Sequence, residues 1–206
     1  MNPQVQAMNP KAQAKNLCTH ALHTLACLLW LCLTPQLVHA QADNSPAHAQ
    51  ADNMPAHVRA ELPDARLSGE GSYRWFGLKI YDAALWVSRT SNAPLSEKFV
   101  LNLRYARELY GDRIAQASLD EIRHLRLGTA AQHQAWLASM QALFPDVTDG
   151  SQISGVYLPH TGARFYLDGK LLGEIRDPEF SRAFFAIWLD PRTSASRLRN
   201  QLLGLS

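Results

Sequence analysis

The stretch "DPEFSRAFFAIWLDP" occupies residues 177–191 and is rich in large apolar side chains. Asp177 is a good helix N-cap and Pro178 a good first helical residue, so a helix is predicted to begin here. The apolar residues recur at i, i+3, i+4, i+7 and i+8, which is one helical face. They are Phe180, Ala183, Phe184, Ile187 and Trp188.

This apolar face has two interpretations, a core surface and a ligand wall. Burying such side chains contributes roughly 1.5–3 kcal/mol each, which is sufficient reason for the face to exist. We therefore expect Phe184 and Trp188 to lie in a core. Phe180, in the first turn of the helix, is predicted to border a ligand cavity.

Residues 1–40 have the composition of a secretory signal peptide. After a short basic segment, the ten-residue apolar run "TLACLLWLCL" (24–33) is too short to span a bilayer as a helix. Small-residue cleavage patterns end at Ala40 and at Ala49. We expect cleavage near Ala40, a periplasmic location and no membrane span in the mature chain.

Removal of this segment also removes all three cysteines, so no disulfide, thiol nucleophile or thiolate metal site is expected in the mature chain. The chain has 20 Lys+Arg, of which Lys11 and Lys15 precede Gln41, against 18 Asp+Glu. The mature chain is therefore close to neutral, and it has no long basic run, so nucleic-acid binding is not expected. His124 and His133 flank Gly128 and do not suggest a metal site, and no cofactor is predicted.

A nine-residue duplication follows the signal, "QADNSPAHA" (41–49) and then "QADNMPAHV" (50–58). Both copies are poor in large apolar residues and cannot bury enough surface to fold on their own. The sequence therefore predicts a disordered linker over 41–61 and a folded domain over 62–206.

Within that domain, runs of strand pattern alternate with runs of helical pattern. The predicted strands are 67–75, 78–87, 98–106, 151–158, 163–167 and 170–175. Helical spacing is found over 112–126, in the segment that ends at Pro145, after Asp177, and over 194–203. Turns are predicted at Phe76-Gly77 and at Asp168-Gly169, the latter a strong hairpin signal. This order predicts an α+β fold with an antiparallel sheet covered by helices on one side.

Several of these stretches resemble the bacterial exported chalcone isomerase-like proteins. The resemblance rests on "LSGEGSYRWFGLKIYDAALW" (67–86), "LRYARELYGDRIAQA" (103–117), "FPDVTDG" (144–150) and the C-terminal block "FYLDGKLLGEIRDPEFSRAFFAIWLDPRTSASRLRNQLLG" (165–204). It implies the chalcone isomerase-like open-faced β-sandwich, in which an antiparallel sheet is backed by a layer of helices. The superfamily contains isomerases, which close a flavanone ring, and non-catalytic members that bind fatty acids between sheet and helices.

The resemblance also indicates which polar residues of the isomerases have a counterpart here. Arg74 is the nearest match to the arginine that holds the anionic substrate. The isomerases' strand threonine falls on Tyr81, their helical tyrosine on Ile114 and their helical asparagine on Glu121. Because Ile114 can neither donate a hydrogen bond nor orient a water, no chalcone ring closure and no catalytic residue are predicted.

Four residues on or just past strands are the predicted ligand contacts beside Phe180. They are Arg74, Tyr81, Tyr105 and Arg107. An arginine fork suits a carboxylate or phenolate in a mostly apolar pocket. The alternative is that both arginines pair with surface carboxylates.

Three functions therefore remain open. The first is a periplasmic, non-catalytic binding protein for a fatty-acid-like or other amphipathic ligand, which would need a dry pocket on the order of a few hundred Å³ between sheet and helices, with one arginine inside. The second is an intramolecular lyase acting on a polyphenol-like substrate, which would need a hydroxyl beside the arginine. The third is a structural or partner-binding domain with a solid core.

Overall fold

The computed structural model describes residues 54–90 and 95–205, so the duplicated segment before Met54 lies outside the described residues. The strands are β1 (Ala65–Trp75), β2 (Leu78–Ser88), β3 (Phe99–Tyr105), β4 (Gln152–Leu158), β5 (Gly162–Leu167) and β6 (Lys170–Ile175). The helices are α1 (Ala56–Glu61), α2 (Gly111–His124), α3 (Ala130–Leu143), α4 (Pro178–Leu189) and α5 (Ser196–Leu203). No helix of this described part is long and apolar enough to cross a membrane.

The six strands form one antiparallel sheet in sequence order, from β1 at one edge to β6 at the other. The predicted α+β class and antiparallel sheet are confirmed. Both predicted hairpin turns are present, and each places two residues in the left-handed region. The φ angles are 46° and 79° at Phe76 and Gly77, and 48° and 81° at Asp168 and Gly169. Such angles match the twist of paired strands.

One face of the sheet packs against α2 to α5 and forms the larger core. Leu85, Leu101 and Phe165 of the strands are at most 2% exposed and meet the aromatic side chains of α4. Phe184 contacts Phe165 with ring centroids 5.2 Å apart. Phe184 and Trp188 are 6% and 5% exposed, so both lie in the core as predicted.

Glycines in β1 allow α5 to approach the sheet closely. A Cβ at Gly69 would lie 2.0 Å from the backbone oxygen of Gln201, and one at Gly71 would lie 2.2 Å from the side-chain oxygen of the same residue. A side chain at Gly69 would therefore displace the backbone of α5. The Gly69-x-Gly71 pair is explained by helix packing on the edge strand.

The opposite face of the sheet is partly covered by α1. Val58 is fully buried there and packs with Trp86, Val100 and Val156 in a second, smaller core. The predicted linker over 41–61 is therefore wrong for its last residues, because Ala56–Glu61 is a helix that docks on the sheet. The folded part begins before the predicted boundary at residue 62.

A buried carboxylate fixes α1 to the sheet. Glu61 is 5% exposed and pairs with Lys98 at 2.5 Å and with Arg164 at 2.6 Å, while the Tyr166 hydroxyl donates to it at 2.5 Å. Burial alone would raise the pKa of Glu61, but the hydrogen bonds from Lys98, Tyr166 and Arg164 outweigh it and lower that pKa to about 2. Helix α1 is thus tied to β5 and to Lys98, the residue before β3, by charge as well as by apolar contact.

Candidate ligand-binding site

Three tyrosines meet at the end of the sheet near the β1–β2 turn, on the face that carries the helices. The ring of Tyr81 stacks on Tyr73 at 5.2 Å and meets Tyr105 edge-on at 5.9 Å. Trp188 of α4 donates its indole N–H to the Tyr81 hydroxyl at 3.0 Å. The structure therefore brings together two predicted ligand contacts, Tyr81 and Tyr105, in one cluster.

Both of these phenols are held neutral by their surroundings. Burial raises the pKa of Tyr81, although the hydrogen bond from Trp188 acts in the opposite direction. Burial also raises the pKa of Tyr105. Neither phenol can supply a phenolate base near neutral pH, so the cluster offers apolar ring surface and one engaged hydroxyl.

Glu121 lies close to this cluster but is already engaged by the chain between α4 and α5. It accepts hydrogen bonds from the backbone N–H and the hydroxyl of Ser194, both at 2.9 Å. Burial raises the pKa of Tyr73, and the negative charge of Glu121 adds to that rise. Ile114, on the same helix as Glu121, is partly buried and packs against the larger core. Neither side chain is placed to assist proton transfer at Tyr81.

The two predicted arginines are not part of the tyrosine cluster. Arg74 is exposed, follows an irregularity in the β1–β2 register, and donates to the carbonyl of Gly77 at 3.3 Å. Arg107 is half-buried, just past β3. Within residues 54–90 and 95–205, no carboxylate lies within 4.0 Å of either guanidinium. The alternative that both pair with surface carboxylates is therefore not supported.

The predicted position of Phe180 beside a cavity is wrong. Its side chain has no accessible surface and is surrounded by aromatic rings, including Trp136 at 6.0 Å, Phe165 at 6.4 Å and Phe184 at 5.4 Å. Phe99 and Phe165, on the sheet below, are at most 2% exposed. Phe180, Phe99 and Phe165 do not line the concavity described next.

The open space lies elsewhere, in a concavity of about 1810 Å³ that runs from the α1-bearing face of the sheet across its β1 edge. On the α1-bearing face it is lined by His57, Ala84, Trp86, Asn102 and Arg104. Across the β1 edge it is lined by Gly71, Tyr73, Arg197, Leu198 and Gln201. Glu70, Asp82 and Asp168 line it as well, so its wall combines apolar, cationic, anionic and neutral polar groups.

A buried polar cluster forms the floor of this concavity beneath α1. Asn102 donates to the Ser154 hydroxyl at 2.7 Å, which leaves the hydroxyl proton free to bond His57 Nε2 at 2.6 Å. Burial lowers the pKa of His57, against the raising effect of Glu61, which favours the neutral imidazole. Ser154 is only 1% exposed, so the serine–histidine pair cannot reach a substrate and is not arranged as a nucleophile.

Trp86 and two arginines supply the donors of the concavity. The indole N–H of Trp86 is buried and has no hydrogen-bond partner in the described part of the chain, although Trp86 lines the concavity. Arg104 and Arg197 also line it, and neither forms an ion pair within 4.0 Å among the described residues. Arg104 lies opposite Asp82, whose own carboxylate binds Lys79 at 2.5 Å and the hydroxyl of Ser72 at 2.5 Å. Both guanidinium groups therefore keep N–H donors available for an anion, although the Asp82 carboxylate lies close enough to Arg104 to interact with its charge.

Sequence reasoning missed the α1 side of this site. The predicted contacts lay on strands and on α4, whereas the concavity takes His57 from α1 and Arg197 from α5. Of the five predicted contacts, Arg74 lines the concavity. No group of three or more His, Cys, Asp or Glu side chains in residues 54–90 and 95–205 is placed to hold a metal ion.

Comparison with known proteins gives three findings. The sequence pattern described as chalcone isomerase-like matches residues 48–204. An uncharacterized protein of Haemophilus influenzae is 30% identical over 136 residues, and this alignment spans 66% of each chain, just under two thirds of the relative's length. The crystal structure of an Arabidopsis thaliana fatty-acid binding protein superimposes with a TM-score of 0.55 at 15% identity, covering 68% of this chain and 87% of that one. At that identity the likeness shows the fold alone.

Proposed function

The chain belongs to the chalcone isomerase-like family, and from this premise we propose that it is an exported, non-catalytic binding protein for a small amphipathic anion. The ligand class is a fatty-acid-like carboxylate or a phenolate carried on an apolar body. The observation that carries the proposal is the concavity of about 1810 Å³, in which Arg104 and Arg197, which form no ion pair within the described residues, lie beside apolar surface and three carboxylates. A site of this composition suits a ligand with one charged end and one apolar part.

The polar end of the ligand is assigned to Arg104, with Arg197 as a second candidate. A guanidinium binds a carboxylate through two parallel N–H donors, and Arg104 is not engaged in an ion pair within the described residues. Leu67, Trp86 and Ala84 on the same face offer apolar surface to the rest of the ligand. The fold neighbour is by its title a fatty-acid binding protein, which supports this class of ligand.

Three features support a non-catalytic role. The Tyr81 hydroxyl accepts from Trp188 and is buried, Ile114 has no polar atom, and Glu121 is engaged by Ser194. In addition to these three, the Ser154 hydroxyl, which bonds His57, is closed off from solvent. An acid–base mechanism needs a titratable group within reach of the reacting atom, and these groups do not provide one.

A titration with palmitate, followed by isothermal calorimetry, tests the proposal. Hydrogen bonds to charged groups contribute about 1.5–3 kcal/mol. The variant Arg104→Ala should therefore weaken palmitate binding by roughly 10- to 150-fold. If Arg197 is the anion holder instead, Arg197→Ala gives that loss and Arg104→Ala does not.

Two controls accompany the titration. Palmitate methyl ester, which lacks the charge, should bind equally to the natural protein and to Arg104→Ala. Arg182→Ala, an exposed arginine of α4 outside the concavity, should bind palmitate normally. Palmitate affinity that is unchanged in both Arg104→Ala and Arg197→Ala would contradict the proposed site.

A further inference from the structure

The tip of the β1–β2 hairpin exposes a compact apolar surface. Trp75 is 60% exposed, Phe76 86% and Leu78 52%, and together with Gly77 they form the segment 75–78, here named the hairpin tip. Large apolar side chains this exposed are otherwise scattered singly over the described surface, as at Leu171. Contiguous exposed apolar surface of this kind marks an interaction site.

The hairpin tip is a preformed projection. Trp75 and Leu78 are paired across the two strands, and Phe76 and Gly77 form a two-residue turn with positive φ at both positions. The rings of Trp75 and Phe76 contact edge-to-face at 4.8 Å. A Cβ added to Gly77 would meet no atom within 4 Å, so the turn stands clear of the rest of the described chain. A convex wedge of this shape suits a deformable partner better than it suits a flat rigid one.

The charge around the hairpin tip is positive. Arg74 and Lys79 flank it directly, and the sequence from Gly71 to Tyr81 contains no acidic residue. Lys79 is held by Asp82, whereas Arg74 bonds only a backbone carbonyl among the described residues. Trp and Phe beside basic side chains are typical of segments that lie at the boundary between lipid headgroups and acyl chains. Basic residues at such a boundary are attracted to anionic lipids.

We propose that the hairpin tip docks on the surface of a membrane that contains anionic phospholipid. Trp75, Phe76 and Leu78 enter the headgroup–acyl boundary, and Arg74 contacts lipid phosphate. Arg74 also lines the concavity, so docking places the concavity beside the lipid surface. This inference rests on the hairpin tip and does not depend on the ligand proposed above.

Tryptophan fluorescence with vesicles provides the test. Trp86, Trp136 and Trp188 are at most 5% exposed, so among the described tryptophans only Trp75 can change from water to lipid. Vesicles of phosphatidylcholine with phosphatidylglycerol should shift the emission to the blue and carry the protein down on sedimentation. Vesicles of phosphatidylcholine alone should sediment at least several-fold less of the protein. Trp75→Phe should remove the contribution of Trp75 to the spectral shift, measured against the natural protein that carries Trp30 as well, but keep the sedimentation.

Two further variants distinguish binding through the hairpin tip from nonspecific binding through any exposed apolar side chain. Phe76→Ser, checked for an unchanged urea midpoint, should lower the sedimented fraction about tenfold, whereas Leu171→Ser, at a side chain that is 60% exposed outside the hairpin tip, should not. The proposal is overturned if the protein does not sediment with anionic vesicles, or if Leu171→Ser loses as much binding as Phe76→Ser. If vesicle binding is absent and light scattering shows a dimer that Phe76→Ser dissociates, the partner of the hairpin tip is a second copy of the chain.

Discussion

Substitution of Glu61 by glutamine should show that α1 is an integral part of the folded domain. Glutamine keeps the shape of the side chain and removes the charge that Lys98 and Arg164 share. The pKa of Glu61 is lowered from 4.5 to about 2. That difference corresponds to roughly 3 kcal/mol of folding free energy contributed by the ionised carboxylate. We therefore expect Glu61→Gln to destabilise the protein by about 3 kcal/mol at pH 7.

The loss should depend on pH in a defined direction. Because the pKa of Glu61 is lower in the folded than in the unfolded chain, its stabilising effect is present above about pH 4.5. It disappears as the pH falls toward 2, where natural protein and variant carry the same charge at this position. The difference between the two proteins should therefore shrink between pH 4.5 and pH 2.

Urea unfolding at pH 7 and at a series of acidic pH values measures this difference. With a slope of about 1–3 kcal/mol per molar urea, a loss of 3 kcal/mol lowers the midpoint by roughly 1–3 M. Glu108→Gln, at an exposed glutamate, should stay within about 0.5 kcal/mol of the natural protein. A pH-independent difference for Glu61→Gln, or one below about 0.5 kcal/mol at pH 7, would refute the ionic attachment of α1.

Three other outcomes are expected. Phe180→Ala should lower the free energy of unfolding by about 3–5 kcal/mol, as much as Phe184→Ala, because both rings are in the core. Chemical unfolding measures both variants. A loss below about 1 kcal/mol for Phe180→Ala alone would place that ring beside a cavity. Gly69→Ala should lower the thermal midpoint by several degrees, because the added Cβ would collide with the backbone oxygen of Gln201. An unchanged midpoint would mean that α5 can shift away from β1 without loss of stability. In an absorbance assay the protein should not close the ring of a chalcone, because Tyr81 is buried and engaged; turnover well above the spontaneous rate would restore the lyase alternative.

Local patterns in the sequence were sufficient to predict the sheet. The Asp168-Gly169 hairpin was predictable because two positive φ angles in a two-residue turn restrict the residue types. The inner face of α4 was predictable because burial imposes helical periodicity on its apolar residues. That periodicity does not say where a cavity lies, so Phe180 was expected beside a cavity although it is fully buried. Arg74 was predicted as a ligand contact and lines the concavity, but its separation from the tyrosine cluster could not be predicted, because the register shift after Tyr73 depends on β2.

The missed helix α1 left a signal in the duplicated repeat. The second copy, 50–58, differs from the first at two positions, where Met54 and Val58 replace smaller residues. These two residues are four apart, as on one helical face, and both pack into the smaller core. Composition averaged over the repeat concealed that change. The partner of Glu61 could not be found from sequence either, because Lys98 and Arg164 are 37 and 103 residues away.

Native mass spectrometry of the protein purified from its own organism is the decisive test of the proposed binding function. We expect a copurified small acid with an apolar body, bound one to one. This ligand should be lost from Arg104→Ala or from Arg197→Ala and retained by Arg182→Ala. A protein that carries no ligand, that binds no palmitate when it is added, and that is indifferent to all three substitutions would contradict the binding function.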